Sequence, residues 1–124
     1  MTVLPALVSI VDDDESVRES LPDLLKVCGF RVHAFSSAAE FLDSGVVGET
    51  NCLILDIAMP NMSGPDLQQW LQRQRRSIPI IYITARRDDT VRAEMLSQGA
   101  VECLFKPFTE RALLDALRVA LESA

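Results

Sequence analysis

Leu53-Ile54-Leu55 is an unbroken apolar run that ends on the carboxylate of Asp56, and Pro60 stops the segment four residues later. A short continuous apolar run bounded by a breaker is the pattern of a strand buried on both faces, as in a parallel sheet. A core strand does not easily hold an unpaired charge, so Asp56 belongs where the strand ends and solvent begins. In open α/β sheets that edge is where ligands and chemistry gather.

The flanking segments have the matching alternation. Leu7 to Val11 is a first strand that runs directly into Asp12-Asp13-Asp14-Glu15. A helix follows, with Asp14 or Ser16 as its N-cap and Val17, Leu21, Leu24, Leu25 and Cys28 as its inner face, closed by Gly29. Pro22 lies inside it, removes one hydrogen bond and predicts a kink or an irregular first turn. Arg31 to Phe35 is a second strand, on whose surface the single histidine, His33, is expected. Ser37 to Glu40 has the capping-box pattern of a short helix carrying Phe41 and Leu42, and a loop from Asp43 to Asn51 leads to the central strand. Pro65 fits the first turn of a third helix with Leu67, Trp70 and Leu71 inward. Pro79 to Thr84 is a fourth strand, Thr90 to Gln98 a fourth helix with Val91, Met95 and Leu96 inward, and Val101 to Phe105 a fifth strand ending at Lys106-Pro107. Thr109 caps a last helix lined by Leu113, Leu114, Leu117, Ala120 and Leu121. Strand and helix alternate throughout, which predicts an α/β fold: one parallel sheet of five strands with helices on both faces. A chain of 124 residues without repeat or linker reads as a single domain over 1–124.

Composition narrows the function. A formal net charge of -6 and a pI near 4.7 argue against nucleic-acid contact by this chain, which calls for a basic patch. Cys28, Cys52 and Cys103 are odd in number, without paired spacing and set in apolar segments, so they read as buried, reduced thiols of a cytoplasmic protein. The first eight residues lack a positive start and are broken by Pro5, unlike a signal peptide. No apolar run approaches membrane-spanning length.

In a parallel sheet every strand's carboxyl end lies on one edge. That edge collects Asp12 and Asp13 from the first strand, Asp56 from the third, Thr84 from the fourth and Lys106 from the fifth. Any one of these is ordinary, since an acid after a strand is usually a helix cap. Together they form a chemical set. Carboxylates this close repel unless a hard divalent cation joins them, and all-oxygen donors suit Mg²⁺. Mg²⁺ keeps room for phosphate oxygens, a carboxylate can act as nucleophile, and a lysine and a threonine can meet the oxygens of a transferred phosphoryl group.

These residues and their surroundings resemble the receiver domain of two-component response regulators, of the FixJ-like type. The likeness runs from Val8-Ser9-Ile10-Val11-Asp12-Asp13 through Asp56-Ile57-Ala58-Met59-Pro60 and Met62-Ser63-Gly64. It continues through Ile83-Thr84-Ala85 and Gly99-Ala100 to Lys106-Pro107-Phe108. The resemblance implies a sheet of order 2-1-3-4-5 and phosphorylation of Asp56 by a sensor histidine kinase. It implies Mg²⁺ held by the Asp13 and Asp56 carboxylates and the Ala58 carbonyl, with Asp12 acting through water. Lys106 and Thr84 would contact the phosphoryl oxygens, and Lys106-Pro107 would be cis. Such a domain is a phosphoacceptor switch, catalysing only its own phosphorylation and dephosphorylation. Its output is a homodimer through the fourth helix and fifth strand, or transcription controlled through a domain outside this chain.

The sequence departs from that pattern at Pro22, at Ala58 and Arg86, and at Cys103, where many receivers carry a switching Tyr or Phe. Without that ring, the outer face is expected to respond weakly to phosphorylation, unless Tyr82 on the neighbouring strand supplies the missing bulk. A Mg²⁺-dependent phosphohydrolase would use a similar aspartate and lysine, but it wants an acid where this chain has Ala58.

Overall fold

The computed structural model describes residues 4–122, so the outermost residues assigned to the domain, 1–3 and 123–124, lie outside it. The elements alternate as β1 (Leu7–Val11), α1 (Glu15–Val27), β2 (Arg31–Phe35), α2 (Ala38–Asp43), β3 (Cys52–Asp56), α3 (Gly64–Arg73), β4 (Ile80–Thr84), α4 (Asp89–Ser97), β5 (Glu102–Phe105) and α5 (Glu110–Glu122). A 3₁₀ turn, Val47–Glu49, interrupts the loop before β3. The strands form one parallel sheet in the order β2-β1-β3-β4-β5, as expected.

Because successive side chains of a strand point to opposite faces, the sheet carries two cores. Val11, Phe35, Phe41, Leu55, Leu67, Leu71, Tyr82, Met95 and Cys103 belong to the core shared with α2, α3 and α4. Val8, Ile10, Leu21, Leu25, Ile54, Ile81, Ile83, Leu113 and Leu117 belong to the core under α1 and α5. The strands β1, β3 and β4 are buried from end to end, which is why they read as continuous apolar runs.

The register fixes the functional edge. Val11 pairs with Leu55, Asp56 with Ile83, and Thr84 with Phe105. Asp12, Asp56, Thr84 and Lys106 therefore sit at or one step past the same line across the sheet. Capping residues turn the chain back at this edge: Asp14 accepts from the Ser16 N–H, Ser63 and Asp66 form a capping box, and Asp88 accepts from the Thr90 and Val91 N–H groups. Thr109 Oγ1 accepts from the Ala112 N–H at 3.0 Å, as its position before the last helix suggests.

Some details differ from the sequence reading. The α1 helix runs from Glu15 through Pro22 to Val27 as one segment, so the proline does not end it. Cys28 is exposed because it is the C-cap of α1, beyond the last turn that packs on the sheet; Cys52 and Cys103 are buried. All three thiols are free. Trp70 is half-buried at the margin of its core, and of the apolar positions expected inward on α4 only Met95 is buried. β3 begins at Cys52 and α4 at Asp89, one residue earlier than the apolar patterns suggest. His33 is exposed on the edge strand β2, as expected. Among the described residues, no helix is long and apolar enough to cross a membrane.

Candidate functional site

The chain leaves β1 at Asp12, whose N–H continues the ladder to the Phe35 carbonyl at 3.0 Å. That bond turns the Asp12 carboxylate into the sheet edge, where it is fully buried. One oxygen, Oδ1, accepts from the Asp14 N–H at 2.8 Å. The other, Oδ2, makes no directed hydrogen bond and is 2.8 Å from the Lys106 ammonium, its charged partner. Lys106 Nζ also lies 3.7 Å from Asp14 Oδ2. Arg18 Nη1 donates to the Asp12 carbonyl at 2.9 Å and ties the start of α1 to the same turn.

Asp56, at the end of β3, is 7% exposed. Carboxylate oxygens of Asp12, Asp13 and Asp56 all lie within 4.8 Å of one another, a spacing that a single cation can span. Asp13 is the exposed member of the three. Asp13, Asp14, Asp56, Ala58, Thr84, Ala85, Arg86 and Lys106 line one open cavity of about 310 Å³. The edge residues chosen from the sequence thus meet in one place: Asp13, Asp56, Thr84 and Lys106 line the cavity, and the buried Asp12 joins them through Lys106 and the carboxylate group. A larger cavity of about 470 Å³ lies elsewhere, among Gln72, Arg75, Pro79 and Val101, and contains none of the acids.

Electrostatics give the site its character. Burial, followed by the Asp12 charge, pushes Asp56 up from 3.8 to about 7; Lys106 opposes the rise, and hydrogen bonding with Asp13 and Asp12 adds to it. Burial alone would lower the Lys106 ammonium, but Asp12, Asp56 and Asp14 together hold it above the ordinary lysine value. Asp14 is held below the usual carboxylate range, chiefly by the Ser16 hydroxyl and N–H. A buried carboxyl that resists ionisation beside two other acids is short of positive charge, and the donors around it are all oxygen. That set fits a hard divalent cation.

Thr84 ends β4, and its Oγ1 accepts from the Arg86 N–H at 3.2 Å, which leaves the hydroxyl proton free to donate into the cavity. The Lys106 N–H donates to the Thr84 carbonyl at 2.7 Å, so the lysine and the threonine are held side by side. Lys106-Pro107 is cis. Ala58 is exposed at the cavity wall, where a phosphohydrolase would need its second acid. Gly64 closes the loop beneath Asp56. A Cβ there would collide with the Asp56 carbonyl oxygen and come within 2.8 Å of Tyr82 Cε1.

Sequence reasoning assigned Asp14 a capping role and missed its place beside Lys106. The signal was the acid run itself, since the residue that caps α1 also faces the cavity. It missed Gln68 entirely: a glutamine on a helix gives no sign that it is buried and accepts the Tyr82 hydroxyl at 2.6 Å.

An open parallel sheet that gathers aspartates, a threonine and a lysine at one carboxyl edge is the architecture of a receiver. Residues 8–118 match the response regulator receiver domain, and the chain belongs to that family. It is 44% identical over 117 residues to Nodulation protein W of Bradyrhizobium diazoefficiens, covering 94% of this chain and 52% of that protein. It is 42% identical to the response regulator protein TmoT of Ectopseudomonas mendocina, covering 96% of this chain and 54% of that protein. Among solved structures, FixJ-N superposes with a TM-score of 0.85 at 35% identity, covering 100% of this chain and 98% of that chain. The response regulator StyR superposes with a TM-score of 0.87 at 44% identity, covering 96% of this chain and 60% of that chain. The chain spans about half the length of the curated relatives it matches. Receiver domains work with sensor histidine kinases in two-component systems and bind Mg²⁺ at an acidic pocket.

Proposed function

We propose that the chain, residues 1–124, is one phosphoacceptor domain that takes a phosphoryl group onto Asp56 from a phosphohistidine of a sensor kinase. What carries the reading is the grouping of three aspartate carboxylates within 4.8 Å of one another, with the Lys106 ammonium 2.8 Å from Asp12. An Asp56 carboxylate oxygen attacks phosphorus in line. The new O–P bond forms as the P–N bond breaks, and the electron pair leaves on the imidazole nitrogen. Asp13, Asp56 and the Ala58 carbonyl would hold Mg²⁺, with Asp12 reaching it through water. The cation would supply the positive charge that lets Asp56 ionise and offsets the charge on the phosphoryl oxygens. Lys106 and the Thr84 hydroxyl take the remaining oxygens. Water attack on the acyl phosphate returns the carboxylate and inorganic phosphate, so the chain resets itself without acting on an outside substrate.

The output is a change of surface. A homodimer through α4 and β5 is the form we favour, and transcription is the process controlled. Support for the latter comes from relatives named as transcriptional regulatory proteins, TdiR of Thauera aromatica and FixJ of Azorhizobium caulinodans. We place the protein in the cytoplasm, in keeping with its free cysteines.

The test is intact mass after incubation with Mg²⁺ and acetyl phosphate. Wild type gains one acid-labile phosphoryl group, and Asp56→Asn gains none. Equal labelling of the two proteins would move the phosphorylation site elsewhere.

A further inference from the structure

Tyr82 leads the fully buried side chains by volume and sits in the middle of β4, paired across the sheet with Leu55 and Cys103. Side chains two apart on a strand share a face, so its ring lies on the same side of the sheet as the Thr84 hydroxyl. One edge of the ring meets the loop that carries the phosphoacceptor. There is no room for a Cβ at Gly64 between Tyr82 Cε1 and the Asp56 carbonyl oxygen, and the Gly64 N–H donates to the Ile57 carbonyl at 2.9 Å. At the other end the Tyr82 hydroxyl donates to Gln68 Oε1 at 2.6 Å, and Gln68 Nε2 donates to the Gln98 carbonyl at 3.2 Å. Gln98 is the C-cap of α4. Burial raises the phenol above its ordinary pKa, so it remains a donor at any physiological pH. The position beside it on β5 holds the small, buried Cys103.

We propose that Tyr82 is the positioning residue that carries the state of the Asp56 loop to the carboxyl end of α4, through its hydroxyl and Gln68. A close-packed ring does not absorb a displacement of the backbone it touches; it passes the displacement on. The hydrogen bond to Gln68 is the element with two discrete conditions, made or broken. Breaking it strands two buried polar groups, so it responds as a step and not gradually. The link starts on β4 and acts on the end of α4 through a polar contact, where a turning ring would act by volume.

The inference rests on Asp56 being the phosphoacceptor, and beryllium fluoride with Mg²⁺ serves as the phosphoryl mimic. The readout is hydrogen exchange at the Gln98, Gly99 and Ala100 amides, which bond back to Glu94, Leu96 and Met95 at 3.1 Å. In wild type the mimic should change their exchange by about tenfold or more. Tyr82→Phe keeps the ring and loses the hydroxyl. It should bind the mimic within about threefold of wild type while the amide response falls below about twofold. Gln68→Met cuts the same link from the other side and should reproduce this result, and it decides the matter alone if Tyr82→Phe fails to fold. Either variant responding like wild type would overturn the proposal. So would faster exchange throughout the sheet in both states, which would make the contact merely structural. Binding of the mimic to wild type without any change at these amides overturns this inference alone. Failure of wild type to bind it overturns the phosphoacceptor reading beneath.

Discussion

Asp56 stands at the end of a fully buried strand, and what surrounds it works against its ionisation. Its proton leaves near 3.8 in an unfolded chain and near 7 in the folded, metal-free one. Between those values folding takes up a proton, so the fold loses stability as pH rises from about 4 to about 7, and the loss is complete above that. Removing the charge should therefore stabilise the protein. In EDTA, Asp56→Asn is expected to match wild type near pH 4 and to exceed it increasingly up to pH 7, by on the order of 2–4 kcal/mol. Urea denaturation across that pH range checks it, and a constant difference would remove the electrostatic explanation. The reacting set itself was legible in the sequence, because a parallel sheet sends every strand end to one edge. The partnership inside it was not. Lys106 pairs with Asp12, which is fully buried, and that choice depends on side-chain reach and burial that spacing does not record.

At the scale of the elements, α1 shows a local rule being overridden. Pro22 has no N–H to give the Arg18 carbonyl, yet the helix continues to Val27. Leu21 and Leu25, on either side of it, are buried in the core under α1, and that burial outweighs a local cost of the order of 3 kcal/mol. Pro22→Ala restores the missing donor but gives the unfolded chain more freedom, worth about 0.4–1 kcal/mol in the other direction. The expected net gain is about 2–2.6 kcal/mol, read as a higher thermal midpoint with phosphorylation unchanged. A lower midpoint would mean that the proline ring contributes packing that alanine lacks. Strand cores and helix types were readable because burial on both faces leaves apolar runs and burial on one face leaves a helical period. The ends were less so. Asp88, and not the apolar pattern after it, starts α4, because a cap is chosen by which side chain reaches the free N–H groups.

The whole molecule is a sheet between two apolar layers with three grouped carboxylates at one edge. A cation bound there stabilises the folded state by mass action, since unfolding scatters its ligands. Saturating Mg²⁺, at about a hundred times its dissociation constant, would add about 2.7 kcal/mol, on the order of 10 °C in the thermal midpoint. Two variants separate a bound ion from general screening, because each removes one negative charge. Asp13 belongs to the three-carboxylate group, whereas Glu15 is the exposed first residue of α1 and does not. Asp13→Asn should raise the midpoint in EDTA by relieving repulsion and then lose most of the Mg²⁺ response. Glu15→Gln should keep that response. Screening would treat the two variants alike, and a Mg²⁺ response lost in Glu15→Gln but kept in Asp13→Asn would refute the ligand set. Melting curves of the three proteins, each with EDTA and with Mg²⁺, give the comparison directly.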